Sequence, residues 1–167
     1  MLISFILLVL LFALDQGTKY LAARWLAPVG TAPFLPGVME LRYVRNEGAA
    51  FSMLADAAWG RWFLVAVTTL ALAAAVVYFV KMKPAEWRWR WCFILIVSGG
   101  LGNLVDRIRQ GYVVDFFATT FIDFAVFNVA DCFVCVGAAL FALNVLRQEL
   151  SVSKSSSDTP RESGAAQ

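Results

Sequence analysis

The sequence contains no histidine, and charged residues are scarcer in it than in a soluble protein. The missing imidazole excludes Ser-His and Cys-His nucleophiles, and it excludes every metal site built on histidine. Only 16% of the 167 residues are charged and 60% are hydrophobic, whereas soluble domains have about 25% charged and about 45–50% apolar residues. Together with a mean hydropathy of +0.71, this composition predicts a membrane protein.

Cysteine is also scarce, and the three cysteines (Cys92, Cys132 and Cys135) all lie in apolar stretches. An odd number of thiols in such surroundings does not form a disulfide framework. Cys132 and Cys135 have the C-x-x-C spacing, but the sequence has no second pair to complete a zinc site. We therefore interpret them as small hydrophobic residues of one helix. No metal or cofactor is expected, and the net charge of +2 gives no reason to expect a nucleic-acid partner.

Long apolar stretches are abundant, and they predict four transmembrane helices. A helix needs about 20 apolar residues to cross the hydrocarbon core. The first apolar run is shorter than that, so its helix is expected to continue past Asp15 and Lys19. The predicted spans are about 5–26, 62–80, 91–107 and 129–146, within a single domain of residues 1–150. Residues 151–167 are rich in serine and predict a disordered tail.

Residues 30–58, between the first two spans, have the signals of strands and turns. Residues 38–45 alternate imperfectly between apolar and charged side chains, which is typical of a strand. Gly48 follows at a position suited to a tight backbone conformation, and this turn is a candidate lid or platform for a site. The predicted fold class is thus an all-α membrane protein with four transmembrane helices and a small extracytoplasmic β-element between helices 1 and 2.

The orientation of the spans is less strongly indicated than their number. Four spans place both termini on one side of the membrane, and basic residues are equally numerous on the two sides. The short loop between the second and third spans is the most densely basic segment, with Lys81, Lys83, Arg88 and Arg90. Because basic loops stay in the cytoplasm, we expect both termini to be cytoplasmic.

Polar residues inside the predicted spans occur at helical spacing. Asp15 and Lys19 are four residues apart on one helix face, so they are expected to pair, more as a structural feature than as catalytic groups. Asn103 lies one turn from Asp106 and Arg107, and we expect these three side chains to form a network that faces the bundle.

Residues 111–131 carry three carboxylates between two apolar segments: Asp115, Asp123 and Asp131. Asn128 suits the N-cap of the last helix and Asp131 its third position, which is consistent with an ordinary cap. A helix N-terminus also favours an ionised carboxylate, so Asp131 is equally a candidate base. Asp115 has apolar neighbours and is the candidate to keep a proton, although a coupled pair titrates as a unit. Two such carboxylates can activate a water molecule, as in aspartic proteases. Asp123 is expected to be a solvated loop residue.

Five short motifs occur in the order found in lipoprotein signal peptidases (signal peptidase II), and the sequence resembles this family from about Leu11 to Leu146. The motifs are Asp15-Gln16-x-x-Lys19, Asn46-x-Gly48-Ala49-Ala50-Phe51, Gly102-Asn103-Leu104-x-Asp106-Arg107, Val113-Val114-Asp115-Phe116 and Phe127-Asn128-x-Ala130-Asp131. One departure is Ser98, where the family usually has glycine. This difference concerns helix packing rather than chemistry.

The resemblance implies a bacterial aspartic peptidase of the cytoplasmic (inner) membrane whose active site faces the cell exterior. Such enzymes cut prolipoproteins on the amino side of the diacylglyceryl-modified cysteine, and globomycin-type cyclic peptides inhibit them. The resemblance implies that Asp115 and Asp131 are catalytic. It also implies that membrane lipid surrounds the protein, which we expect to be a monomer. The residues implied to support the site or bind substrate are Asp15, Lys19, Asn46, Gly48, Asn103, Asp106, Arg107, Asn128 and Ala130.

Two other classes of function fit the composition. A small four-helix transporter would use intramembrane acids as proton sites, but the acids cluster at one side of the membrane and no inverted repeat is visible. A membrane scaffold would use the same acids only as structural pairs. A presenilin-like protease is disfavoured because the sequence has no Gly-x-Gly-Asp motif.

Overall fold

The structure is a computed structural model, and it describes residues 2–48, 59–82 and 87–157, the last six of these as backbone alone. The described chain forms four α-helices and three strands. In chain order they are α1 (Leu2–Leu21, continued by a π-helix over Ala22–Leu26), β1 (Thr31–Leu35), β2 (Met39–Asn46), α2 (Gly60–Lys81), α3 (Trp87–Arg109), β3 (Val113–Thr119) and α4 (Val129–Ser157).

All four helices are long and apolar enough to cross a membrane. The candidate spans are Leu2–Leu26, Gly60–Lys81, Trp87–Arg109 and Val129–Ser151, each of 22 to 25 residues. These lengths match the thickness of the hydrocarbon core. The prediction of four spans is therefore confirmed, including the continuation of the first helix past Asp15 and Lys19.

Helix α3 is the central helix of the bundle. Half of its apolar stretch is buried inside the protein, compared with 6–11% for the other three helices, and it packs against α1, α2 and α4. Small residues allow this approach: a Cβ at Gly99 would overlap the carbonyl oxygen of Ala130, and one at Gly100 would lie 2.7 Å from Leu72. Ser98 is fully buried, and its hydroxyl donates to the carbonyl of Leu95 at 3.0 Å, so serine satisfies itself at this crowded position.

The three strands form an antiparallel sheet in the order β1-β2-β3. The sequence prediction placed the β-element only between helices 1 and 2, and it assigned no strand to the segment around Asp115. The structure corrects this, because β3 comes from between α3 and α4. A strand that pairs with a distant segment is stabilised by that partner, which the local sequence does not reveal.

The sheet is attached to the end of α1 through one face of β3. Val114 and Phe116 pack against Ala22 and Leu26 of the π-helical segment. Because side chains of a strand alternate between its faces, Asp115 points away from this apolar contact. The sheet therefore holds Asp115 toward the N-terminal end of α4.

Helix α4 continues to Ser157, whereas the sequence predicted a disordered tail from Ser151. The prediction was wrong for residues 151–157, because a long helix propagates more easily than it nucleates and tolerates a few weak helix formers at its end. Residues 158–167 of the predicted tail and residues 49–58 of the predicted β-element lie outside the described residues.

Candidate active site

Asp115 lies on β3, opposite Val44 of β2, and its side chain is only 2% exposed. Both of its carboxylate oxygens accept hydrogen bonds from amides: Asn46 Nδ2 donates to Oδ2 at 2.9 Å, and Asn128 Nδ2 donates to Oδ1 at 2.6 Å. Burial raises the pKa of Asp115 to about 6, and the negative charge of Asp131 adds to this effect while the two amides oppose it. Asp115 therefore exchanges its proton much nearer to neutral pH than an ordinary aspartate.

Asp131 lies in the first turn of α4 and forms a capping box with Asn128. The Asp131 N–H donates to Asn128 Oδ1 at 3.0 Å, and the Asn128 N–H donates to Asp131 Oδ2 at 3.1 Å. The predicted cap is confirmed. The second oxygen of Asp131 faces away from the cap and accepts a hydrogen bond from Asn103 Nδ2 at 2.7 Å.

Every oxygen of the two carboxylates thus accepts a hydrogen bond from an N–H group. Three of the four donors are asparagine side chains, which come from β2, α3 and the start of α4. Asn128 Nδ2 also lies 3.2 Å from Asn103 Oδ1, so the amides connect the two acids. Donors that are already in place favour negative charge on the pair without reorganisation.

Asp115 and Asp131 line one cavity of about 400 Å³, together with Asn46, Asn103 and Arg107. The remaining wall is mostly apolar. It consists of Val113, Phe124, Ala125, Val126, Phe127, Cys132 and Cys135. A mostly apolar cavity with a few convergent polar groups is typical of a small-molecule or peptide site.

A second groove, of about 350 Å³, shares Asn103, Arg107 and Asp131 with this cavity. Its other walls come from α2, α3 and α4, including Val67, Leu72 and Val134. The groove lies between these helices and reaches Asp131 of the carboxylate pair.

Arg107 and Gly48 connect the cavity to the sheet. Arg107 Nη2 donates to the carbonyl of Gly48 at 2.9 Å, and the Gly48 N–H donates to Asn46 Oδ1 at 3.0 Å. Gly48 is buried, and it is joined to the cavity through Arg107 and Asn46, which line it. The rest of its motif, residues 49–51, lies outside the described residues.

The polar side chains of α1 and α3 that were predicted to form pairs contact one another next to the carboxylates. Lys19 Nζ lies 2.9 Å from Asp15 Oδ2 and 2.8 Å from Asp106 Oδ2, and both of these aspartates are buried. Asp15 Oδ1 also accepts the N–H of Ala130 at 3.0 Å, which holds the first turn of α4. The expected Asp15–Lys19 pair is confirmed as a contact. Asn103 and Asp106 are joined through Lys19 rather than directly, and Arg107 contacts the backbone oxygen of Asn103 at 3.5 Å.

Two residues of this network were given no role from the sequence, although Gln16 is part of the first motif. Gln16 donates to Asp15 at 3.1 Å and to Asp106 at 3.3 Å. Arg61 of α2 donates to the carbonyls of Arg107 and Ile108 at 2.8 and 2.9 Å, which caps the end of α3. For Arg61, the sequence signal that was available is its position at the start of an apolar span.

The third carboxylate of residues 111–131 is not part of this site. Asp123 is exposed, as expected for a loop acid. Within residues 2–48, 59–82 and 87–157, no three or more Cys, Asp or Glu side chains come together in a way that would hold a metal ion.

Fold and site together define a class: a multi-pass membrane protein in which a buried aspartate, Asp115, and a half-buried one, Asp131, share a cavity at one end of the helix bundle. The family model for signal peptidase (SPase) II matches residues 7–147. A lipoprotein signal peptidase of Streptococcus pyogenes serotype M6 is 42% identical over 142 residues, which are 85% of this chain and 91% of that protein. A homologue from serotype M5 is 41% identical over the same length.

Two solved structures, each described as a bacterial membrane enzyme, have the same fold. One, determined by the in meso method at 2.3 Å, has a TM-score of 0.79 and 29% identity over 95% of this chain and 93% of its own. The other, at 1.9 Å, has a TM-score of 0.76 and 30% identity over 86% and 92%. The chain belongs to the signal peptidase II family, and it is therefore a membrane peptidase rather than the transporter or scaffold considered above.

Proposed function

We propose that this protein is an aspartic endopeptidase that removes signal peptides from diacylglyceryl-modified prolipoproteins. The observation that carries the proposal is that Asp115 and Asp131 line one cavity with all four carboxylate oxygens held by N–H donors. The relatives named lipoprotein signal peptidase support the choice of substrate. The scissile bond is the one on the amino side of the lipidated cysteine.

In the proposed mechanism the two aspartates share one proton and activate a water molecule between them. The ionised member is Asp131 at the N-terminus of α4. It takes a proton from the water molecule while the water oxygen attacks the scissile carbonyl. Asp115, whose pKa is raised to about 6, donates its proton to the leaving nitrogen. The pair is then restored with one proton, and the cycle needs no metal or cofactor.

The supporting residues hold this pair in place. Asn46, Asn103 and Asn128 donate hydrogen bonds to the carboxylates. Arg107 places a positive charge in the cavity wall, which offsets negative charge on the two acids. This cation also attracts the oxyanion that forms when water attacks.

The apolar groove between α2, α3 and α4 suits a substrate that arrives within the bilayer. A signal peptide is an apolar helix and the acyl chains of the lipidated cysteine are hydrocarbon, so both remain in lipid while the scissile bond reaches the carboxylates. We place the site at the extracytoplasmic face of the bacterial cytoplasmic membrane, with both termini in the cytoplasm. Globomycin-type cyclic peptides would occupy the same cavity.

The proposed specificity is tested by mass spectrometry of the cleavage products. The purified enzyme is incubated with one prolipoprotein in two forms, with and without the diacylglyceryl group on the cysteine. We expect cleavage only of the lipidated form, to give a product that begins with the modified cysteine. Equal cleavage of both forms, or a cut at another bond, would contradict the proposed substrate.

A further inference from the structure

Asparagine side chains can bind an aspartate only if the amide is turned with its NH2 group toward the carboxylate, so each amide needs a partner that sets its orientation. Asn46 and Asn128 are oriented by backbone groups: Gly48 and Asp131 each donate an N–H to the Oδ1 of one of them. A backbone N–H only donates, so it forces the oxygen toward itself. Asn103 differs, because its oxygen faces a side chain from another helix.

Lys19 is the residue that orients Asn103. Its Nζ donates to Asn103 Oδ1 at 2.8 Å, and an ammonium group cannot accept a hydrogen bond. Asn128 also donates to this oxygen, but at 3.2 Å. With its oxygen held by the lysine, Asn103 turns its NH2 group to Asp131 Oδ1 at 2.7 Å.

The surroundings of Lys19 suit this role. The side chain is 4% exposed, and three oxygens lie within 2.9 Å of Nζ, one each from Asp15, Asp106 and Asn103. An ammonium has three N–H groups. Its contact with Asp106 Oδ2 is an ion pair without hydrogen-bond geometry, whereas the amide oxygen of Asn103 accepts a hydrogen bond. The two ion pairs keep the lysine charged and in place, and the third contact goes to the amide.

We propose that Lys19 is a positioning residue that acts on Asp131 through the Asn103 amide. It touches neither carboxylate of the catalytic pair. The ammonium on α1 fixes which end of the amide on α3 faces Asp131 on α4, and so stabilises the negative charge that Asp131 carries as the base. The inference rests on the proposed function and adds a residue that sets the pH range of the site.

The groups around Asp131 come from every element packed against it, and any change in pH dependence must be judged against all of them. They are Asp15 and Lys19 of α1, Asp106 and Arg107 of α3, Asp115 of β3, and Cys132 and Cys135 of α4 itself.

The test is the double variant Lys19→Met with Asp106→Asn. A cation and an anion are removed together, so the cluster keeps its net charge and Asp15 keeps the N–H of Ala130. The pH profile of kcat/KM is measured on the lipidated prolipoprotein, alongside thermal unfolding. Without the lysine, Asn103 no longer presents its NH2 group reliably, so the ionised carboxylate of Asp131 loses a hydrogen-bond donor that stabilises it as the base. We expect the acid limb of the profile to move up by about one pH unit, with kcat/KM at pH 6 reduced by about tenfold.

Two controls separate positioning from loss of stability. Gly137→Ala places a Cβ 2.8 Å from Ile96 and 2.9 Å from the carbonyl of Cys92, so it lowers the melting temperature at a distance from Asn103 and should leave the acid limb unmoved. In an Asn103→Ala background, the double variant should cause no further shift.

An unmoved acid limb in the double variant would overturn the proposal and leave the peptidase function standing. A further shift in the Asn103→Ala background would overturn it as well, because Lys19 would then act without the amide. The proposed function fails by a different result, namely activity in variants of Asp115 or Asp131 themselves.

Discussion

The buried aspartates of this protein differ in what compensates their charge. Asp15 and Asp106 share the ammonium of Lys19, whereas among the residues that the structure describes Asp115 contacts the amides of Asn46 and Asn128 and no cation. Burial without a directly bound cation favours the protonated form. This difference separates the structural acids from the one proposed to carry a mobile proton.

The raised pKa of Asp115 predicts how stability depends on pH. The folded protein holds this proton up to about pH 6, whereas the unfolded chain loses it near pH 4. Stability is therefore lost as pH rises through that window, by about 2–3 kcal/mol for a shift of this size. Asp115→Asn removes this titration. Thermal unfolding from pH 4 to 8 should show the variant gaining stability relative to the parent as pH rises, and a constant difference would contradict the assignment.

Gly102 predicts a second effect at the residue scale. A Cβ there would overlap Asp15 Oδ2, and Asp15 holds the N–H of Ala130. We expect Gly102→Ala to lower the free energy of unfolding by about 2–3 kcal/mol and to reduce cleavage at least tenfold, because the first turn of α4 shifts. Gly17→Ala is the matched control: nothing lies within 4 Å of its Cβ position on α1, and it should be neutral or slightly stabilising. Equal behaviour of the two variants in unfolding and activity assays would refute the packing argument.

At the scale of elements, the sequence predicted what local chemistry controls. The capping box of Asn128 and Asp131 and the Asp15–Lys19 pair depend on residues three or four apart, and the structure has both. Strand β3 depends on β2, some 70 residues earlier in the chain, so no local pattern reveals it. The amide contacts of Asp115 could not be predicted from spacing for the same reason, since they require the sheet.

The contact between β3 and the π-helical end of α1 predicts an effect on catalysis from outside the cavity. Phe116 is 5% exposed and packs against Ala22 and Leu26, next to Asp115 in the strand. Phe116→Ala should cost about 3–5 kcal/mol of stability and lower kcat more than it raises KM, because the strand loses its anchor. Phe121→Ala, at a side chain that is 63% exposed, should change stability by less than about 0.5 kcal/mol. Thermal unfolding and steady-state kinetics of both variants make the comparison, and a normal kcat in Phe116→Ala would contradict the coupling.

For the whole molecule, the number of spans was predictable because hydropathy and length decide it. The orientation was predicted from the density of basic residues in one loop alone, because basic residues divide equally between the two sides. The proposed function requires the end of the bundle that holds Asp115 and Asp131 to face the cell exterior. A green fluorescent protein fused after residue 157 should therefore fluoresce, and alkaline phosphatase fused after Gln110 should be active. The opposite pattern would place the carboxylates in the cytoplasm and contradict the proposed substrate.

The central claim is that Asp115 and Asp131 perform the proton transfers of peptide hydrolysis. The most direct measurement compares Asp115→Asn and Asp131→Asn with the parent enzyme on a diacylglyceryl-modified prolipoprotein, with thermal unfolding and binding of a globomycin-type peptide followed in the same samples. Asparagine keeps the shape of the side chain but cannot cycle a proton. We predict that both variants remain folded, bind the inhibitor and lose cleavage by at least about 10³-fold. Cleavage near the parent rate by either folded variant would show that the acids only cap and pair.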